Sequence, residues 1–232
     1  PNWQITYDGL SKIKAIKKYF NSVVVTHGYR STYSISNITT NLLREQKLAD
    51  NPDRIPIDAT GNLLSAQQIG AVTISEQFSP LIGFNVKLKN SMNIKIEYKK
   101  DRNVALSLTN SQVTETKGEE WVIGTGYIIK NVKLKFISLG PRRTKPVSNL
   151  ELRADLTIRD NITVIRRIIE NINQVTAGQK IINLKVSGDY QISKRVNAKL
   201  FYDMNLSSFK TSNAFPISTH QFGISVRLNL GQ

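Results

Sequence analysis

Residues 72–108 alternate with a period of two over a length that ordinary strands do not reach. Val72, Ile74, Phe78, Ile82, Phe84, Val86 and Leu88 hold even positions, with Ser75, Gln77, Asn85, Lys87 and Lys89 between them. Past Asn90-Ser91, the even register resumes at Ile94, Ile96, Tyr98, Val104, Leu106 and Leu108, against Asn93, Lys95, Glu97, Lys99, Asn103 and Ser107. Successive side chains of a strand point to opposite faces, so this pattern predicts one apolar face and one wet face. The parity runs through Pro80 and through Asp101-Arg102, which predicts two very long strands joined by a tight turn at Asn90-Ser91. Strands in soluble sandwiches run about 5–6 residues. Strands about twice that length or more, apolar on one side and charged on the other, are what a transmembrane barrel requires.

Composition narrows the field by exclusion. The 232 residues contain no run of about 18 apolar ones, so no transmembrane helix is expected. A strand-built membrane protein leaves the same quiet hydropathy trace, since only every second residue is apolar. Cysteine is absent, which excludes disulfides, zinc–thiolate sites and cysteine nucleophiles. The formal net charge of +15 invites a nucleic-acid reading. The lysines and arginines fall at alternate strand positions or in turns, however, so they are assigned to wet faces and no nucleic acid is expected. The chain opens on Pro1-Asn2-Trp3 without an initiator methionine or signal peptide, and is expected to be processed or cut from something longer.

Taken in order, the chain predicts about nine strands. Trp3, Ile5 and Tyr7 form a short one. Over 11–20 the period changes, with Ile13, Ile16 and Phe20 among Lys12, Lys14, Lys17 and Lys18. That is either a basic amphipathic segment at a membrane surface or a polar connection with a few buried anchors. Residues 23–43 return to alternation through Val23, Val25, His27, Tyr29, Tyr33 and Ile35. His27 has no second histidine near it and is placed in an aromatic belt beside Tyr29. Residues 44–67, with Pro52, Pro56 and Gly61, read as a long loop; Asp50, Asp53 and Asp58 lack calcium-loop spacing. Residues 111–120 are polar and loop-like, and 121–130 form a strand. Gly124-Thr125-Gly126 lacks the third glycine and the helix start of a dinucleotide fingerprint, so no cofactor is expected. Residues 130–145 carry Lys133, Lys135, Arg142 and Arg143 in a basic excursion.

From Leu150 one strand runs to about Ile168. A two-residue turn at Asp160-Asn161 would set Arg159 opposite Ile162 on one face, which the parity forbids. A loop over 171–178 follows. A strand through Ile182, Leu184, Val186 and Tyr190 turns at Ser193-Lys194 and returns through Val196, Ala198, Leu200, Tyr202 and Met204. After a loop over 207–216 comes a last strand with Phe222, Ile224, Val226, Leu228 and Leu230.

The expected fold is therefore all-β, a segment of a large antiparallel transmembrane β-barrel with long outer loops. Short turns alternating with long loops match outer-membrane barrels, short on the periplasmic side and long outside. With the C-terminus periplasmic, the loops at 44–67, 111–120, 171–178 and 207–216 fall outside, and 11–20 and 130–148 are periplasmic connections. The wet faces nominate Lys87, Lys89, Lys95, Glu97, Lys99, Arg153, Asp155, Arg159, Lys185, Arg195, Lys199, Asp203 and Arg227 as lumen-lining residues. Such a density of charge would desolvate badly in a narrow barrel, and a wide, water-filled lumen accommodates it.

Several ordered runs, spread over essentially the whole chain, resemble the SprA (Sov) family of Bacteroidetes outer-membrane proteins. They are His27-Gly28-Tyr29-Arg30-Ser31-Thr32-Tyr33, Phe78-Ser79-Pro80-Leu81-Ile82-Gly83, and Leu152-Arg153-Ala154-Asp155 followed by Arg159-Asp160-Asn161. Asn173-Gln174-Val175-Thr176-Ala177-Gly178-Gln179 and Phe201-Tyr202-Asp203 complete the set. The resemblance implies the C-terminal portion of a type 9 secretion translocon, a protein-conducting pore serving gliding motility in some relatives. It further implies a single very large barrel that passes folded cargo bearing a C-terminal signal domain and is gated by plug and shuttle proteins. The implied partners are the remainder of the same barrel, possibly a separate chain, those gating proteins, the cargo and outer-membrane lipid. The chain departs from many outer-membrane barrels in ending on Leu230-Gly231-Gln232 rather than on an aromatic residue.

Two other functions compete. One is a self-contained barrel acting as a small-solute porin or adhesin, distinguished by whether nine strands close on themselves, since single-chain bacterial barrels normally have an even count. The other is a barrel enzyme, which needs nucleophile, base and orienter within reach of one another. Only His27 and His220 supply an imidazole, with Ser218 and Asp203 as conceivable companions, and no catalytic residue is assigned.

Overall fold

In the computed structural model, residues 1–133, 147–193, 195–211 and 215–228 are described. They form one antiparallel sheet of nine strands in sequence order: β1 (Asn2–Tyr7), β2 (Phe20–Thr40), β3 (Gln67–Leu88), β4 (Met92–Ser107), β5 (Gln112–Lys133), β6 (Val147–Arg167), β7 (Ile172–Gln191), β8 (Val196–Phe209) and β9 (Ile217–Leu228). β1 ladders to β2 and β9 to β8, and the two end strands do not meet, so the sheet is open at both edges. Among the described residues no helix is long and apolar enough to cross a membrane.

The long strands follow from the period-two pattern and from turns that suit it. Ser91 closes the β3–β4 turn at φ 68°, with the Asn90 side chain accepting from the Met92 amide at 3.2 Å. Ser111 and Asn171 take the same left-handed conformation in the β4–β5 and β6–β7 turns, at φ 50° and 53°. β6 runs unbroken from Val147 to Arg167, so Asp160-Asn161 is strand interior, as the parity required.

β3 carries the main irregularity. Phe78 stands opposite Lys100 and Ile82 opposite Tyr98, so β3 spends four steps where β4 spends two. The β2 ladder shows the same offset between Thr26–Gly83 and Tyr29–Phe78. Two extra residues therefore bulge out around Ser79-Pro80-Leu81. Because two is one full period, the faces are the same on either side, which is why the alternation passes through Pro80.

Several connections differ from the sequence reading. Residues 112–120 are not a loop but the first half of β5, and residues 172–178 are the start of β7. Ser207 to Phe209 still belong to β8. The loop expected over 44–67 begins with a helix, α2 (Leu42–Asp50), which Asn41 caps by accepting from the Arg44 amide at 3.3 Å. Residues 11–20 hold only a 3₁₀ turn (Gly9–Lys12) and the single turn α1 (Lys14–Lys17). That is too short for an amphipathic face, and the polar-connection alternative fits better. The connection expected over 130–148 is strand at both ends, to Lys133 and from Val147. Its remainder, with Lys135, Arg142 and Arg143, lies outside the described residues, as do Lys194 and Leu230.

Among the described residues no second layer covers the sheet. Val23 and Tyr190 are the buried apolar residues among those described, and the chain exposes 16600 Å². A compact monomer of 26.1 kDa would expose about 10500 Å².

Candidate functional site

Paired residues of an antiparallel ladder share a face, so the register sorts the side chains directly. One face carries charge. Asn85, Lys95, Gly124, Asp155, Lys185, Asp203 and Gln221 stand in a single row from β3 to β9, the charges alternating in sign. The neighbouring rows place Lys87, Glu97, Lys99, Arg153, Arg159, Lys199 and Arg227 on that face. Eleven of the thirteen nominated residues thus share one surface. The ladders do not sort the other two, because Lys89 lies in the turn after β3 and Arg195 just before β8.

The charges are linked rather than independently solvated. Lys95 Nζ lies 3.0 Å and Lys99 Nζ 3.8 Å from the Glu97 carboxylate, which is only 8% exposed. Lys99 continues to Glu120 at 3.0 Å, and Arg159 spans from Glu120 to Asp101, each at 3.5 Å. Glu120 was missed by placing 111–120 in a loop. Asp101 shares the odd parity of Lys99 and Asn103 and was legible from it. Hollows of about 440, 410 and 400 Å³ open on this same face. The largest is floored by Gly124 and Gly126 between Lys95, Arg153 and Asp155. A Cβ at Gly124 would come 2.7 Å from Asp155 Oδ1, so a larger residue there would shift the Asp155 carboxylate.

The opposite face is apolar over part of its height. Its rows include Val86, Ile94, Thr125, Ala154, Val186 and Tyr202; then Phe84, Ile96, Ile123, Leu156, Leu184 and Met204; then Ile82, Tyr98, Trp121, Ile158, Ile182 and Leu206. Aromatic rings gather along its upper edge. Tyr98 stacks on Trp121, and Tyr29 lies between Trp3 and Phe78 with ring centroids 4.4 and 4.7 Å away. His27 belongs to this aromatic group, 6.1 Å from the Phe78 ring, and its Nδ1–H donates to the Leu81 carbonyl in the bulge at 2.6 Å.

Above the aromatics the same face becomes charged. Lys100 pairs with Glu119 at 3.3 Å, and Asp160 with Lys210. Two rows further, Glu115 is 2% exposed and accepts from Arg102 Nε at 2.7 Å and Arg166 Nη2 at 2.6 Å, with Lys117 Nζ at 3.3 Å. Arg102 also reaches Glu76 at 3.4 Å, which takes the Tyr29 hydroxyl at 3.0 Å. This cluster was not nominated from sequence. The signal for it was the odd parity of Val113, Glu115, Lys117, Glu119 and Trp121, which continues the apolar face of β5 into charged residues.

The enzyme constellation does not assemble. Ser218 Oγ lies 2.8 Å from His220 Nε2, and Tyr202 Oη lies 2.9 Å from Nδ1. Asp203 neighbours Tyr202 in β8 and projects from the other face, so it cannot orient His220. In the long loop, Asp58 Oδ1 accepts from the Thr60 and Asn62 amides at 2.8 and 2.9 Å and from the Thr60 hydroxyl at 2.7 Å. These bonds, led by the Thr60 hydroxyl, hold its carboxyl down to about 2. No protein-family model matches the chain, and no curated protein matches it.

Proposed function

We propose that this sheet is part of the wall of a very large outer-membrane pore through which folded proteins pass from periplasm to cell surface. The carrying observation is the division between its faces. One face is charged and hollowed, and the opposite face bears an apolar band that ends at an aromatic edge. From Trp121 to Ile129 the band runs about 27 Å along the strand. At a tilt of about 40° that is about 20 Å of height, close to the band of about 25 Å that outer-membrane barrels present to lipid. The 22 residues of β5 exceed this span, so the strands project beyond lipid at the end carrying α2 and the long loop.

The bare edges specify the principal partner. In hydrocarbon an unpaired strand edge costs several kcal/mol per unsatisfied group. β1 and β9 therefore ladder to strands from outside this segment, supplied by the remainder of the same barrel. A self-contained porin or adhesin requires β1 to meet β9, and both the open edges and the count of nine speak against it. The sequence resemblance to the SprA family gives this wall its cargo and its gating partners.

Denaturing mass measurement of the purified assembly tests the reading. A polypeptide several times larger, containing this sequence or accompanying it, is expected. An assembly made of this chain alone would overturn it in favour of the small barrel.

A further inference from the structure

We infer that Lys14, Lys17, Lys18, Lys89 and Arg195 form a cationic rim that gathers anionic phospholipid headgroups at the end of the sheet opposite α2 and the long loop. The inference rests on the membrane-wall reading above, and adds a lipid partner that the pore reading does not require.

The two ends of the sheet differ in charge. Among the described residues, the connections after β1, β3 and β7 carry six cations, these five and Lys12, against the one carboxylate of Asp8. The connections at the other end carry four cations against five carboxylates. One rim is therefore strongly basic and the other nearly neutral. The basic rim is also not neutralised from within. All six cations are exposed, and among the described residues none of them forms an ion pair. Lys95, Lys99, Arg102, Arg153 and Arg159, within the strands, all do.

Position sets the rim at a headgroup level. Leu88 is the last residue of β3 and lies on the apolar face; Met92, which opens β4 across the turn, pairs with Tyr127 inside the band. Lys89 is the next residue, about 3.4 Å along the strand, or about 2.5 Å lower at barrel tilt. Its amide donates to the Tyr19 carbonyl at 3.2 Å, so Lys18 and Tyr19 lie at the same level. Across the sheet, Arg195 directly precedes Val196, which pairs with Leu228 in the last apolar row. The polar zone outside the hydrocarbon is about 5–8 Å deep, and long cationic side chains reach across it. Tyr19 is exposed, with the Lys18 ammonium 5.5 Å from its ring centroid, and tyrosine beside lysine suits a bilayer interface. Lys14 and Lys17 lie in the single turn α1 that leads into Lys18. Lys12 is left out, since its neighbour Ser11 bonds to Val23 within the band. Spread over connections from β1 to β8, the cations follow a bilayer surface rather than outline one protein contact.

The test uses the intact assembly in bilayer discs of equal parts phosphatidylglycerol and phosphatidylcholine with the same acyl chains. Retained lipid is measured by native mass spectrometry. The unaltered protein should retain phosphatidylglycerol about fivefold over phosphatidylcholine, the preference that one cation near an anionic surface supplies. Replacing the five rim cations with Gln should return the ratio to that of the disc. Arg44→Gln, Lys47→Gln and Arg54→Gln together, at the other end, should leave it unchanged. An even ratio with unaltered protein, an unchanged ratio in the rim variant, or an equal loss in the variant at the other end overturns the inference. Displacement by inorganic phosphate at equal concentration overturns it too, as that would indicate a free-anion site. Co-purification of an acidic protein that depends on these cations, without lipid preference, overturns it in favour of a protein contact. If the assembly does not enter the bilayer at all, the membrane reading fails with it; if it enters without preference, only this inference fails. Should the rim variant not assemble, Lys14→Gln with Lys17→Gln, outside every ladder, takes its place, and an unchanged ratio there overturns the inference.

Discussion

Tyr98 and Trp121 stack across the β4–β5 ladder, with ring centroids 4.7 Å apart and planes inclined by 29°. They occupy the last row before this face turns from apolar to charged, and Trp3 joins the same edge through Tyr29. The two tryptophans of the chain thus lie in adjacent rows of one face, Trp3 in the row of Tyr29, Phe78 and Lys100 and Trp121 in the row of Tyr98. In bilayers, their fluorescence should be quenched more strongly by lipids brominated near the headgroup than by lipids brominated at the chain end. Stronger quenching from the chain ends would move the aromatic edge to the midplane and discard the assignment.

Leu156 and Leu106 share that face but not that environment. Leu156 sits between Ile123 and Leu184 inside the apolar band, whereas Leu106 lies past the aromatic edge, in the row of Val113 and Arg166. Leu156→Arg should cost roughly 2–4 kcal/mol of assembled stability, and Leu106→Arg at most about 1. Equal costs in a urea titration from bilayers would show that the band has been drawn at the wrong height.

On the charged face with Lys95 and Glu97, the paired charges are unequal in consequence. Lys95 is half exposed, so Lys95→Gln should cost less than about 1 kcal/mol. Glu97 is buried against both Lys95 and Lys99, so Glu97→Ala strips two partly covered cations of their shared partner and should cost about 1–3 kcal/mol. Equal effects on the midpoint of unfolding would mean that water alone solvates this wall.

The loop around Asp58 carries a pH dependence of known sign. Its carboxyl lies near 2 rather than the ordinary 3.8, so the ionised form is favoured in the folded loop. The stabilisation is complete above the unfolded value and disappears as pH falls through about 2. Exchange protection at the Thr60 and Asn62 amides should fall over that interval, and Asp58→Ala should abolish it at neutral pH. Protection that persists unchanged in Asp58→Ala would assign the loop's order to other contacts.

Wherever one side of a strand is apolar and the other wet, the sequence declares the strand; the upper halves of β5 and β7 are wet on both sides. Glu115, Lys117 and Glu119 share the face of Trp121, so the period-two signal disappears although the backbone continues unchanged. The start of β7 is further blurred by a one-residue bulge near Thr176, where Thr163 pairs with Ala177 and Val164 with Val175. Hence 111–120 and 171–178 read as loops. The nominated charges sort well onto one face because face depends on parity alone. Pairing depends on register between strands, so Glu97 as a shared partner and Glu115 as the centre of a cluster become visible only with the ladders in place.

The bulge at Ser79-Pro80-Leu81 sets an arithmetic for change in this wall. Two residues can be inserted into a strand and Phe78 and Ile82 still look outward together. One residue would exchange the outlook of everything on one side of it, sending Glu76 inward and Gln77 out. Length variation among proteins built on this plan should therefore come in even steps within strands, and in steps of either parity only in the turns.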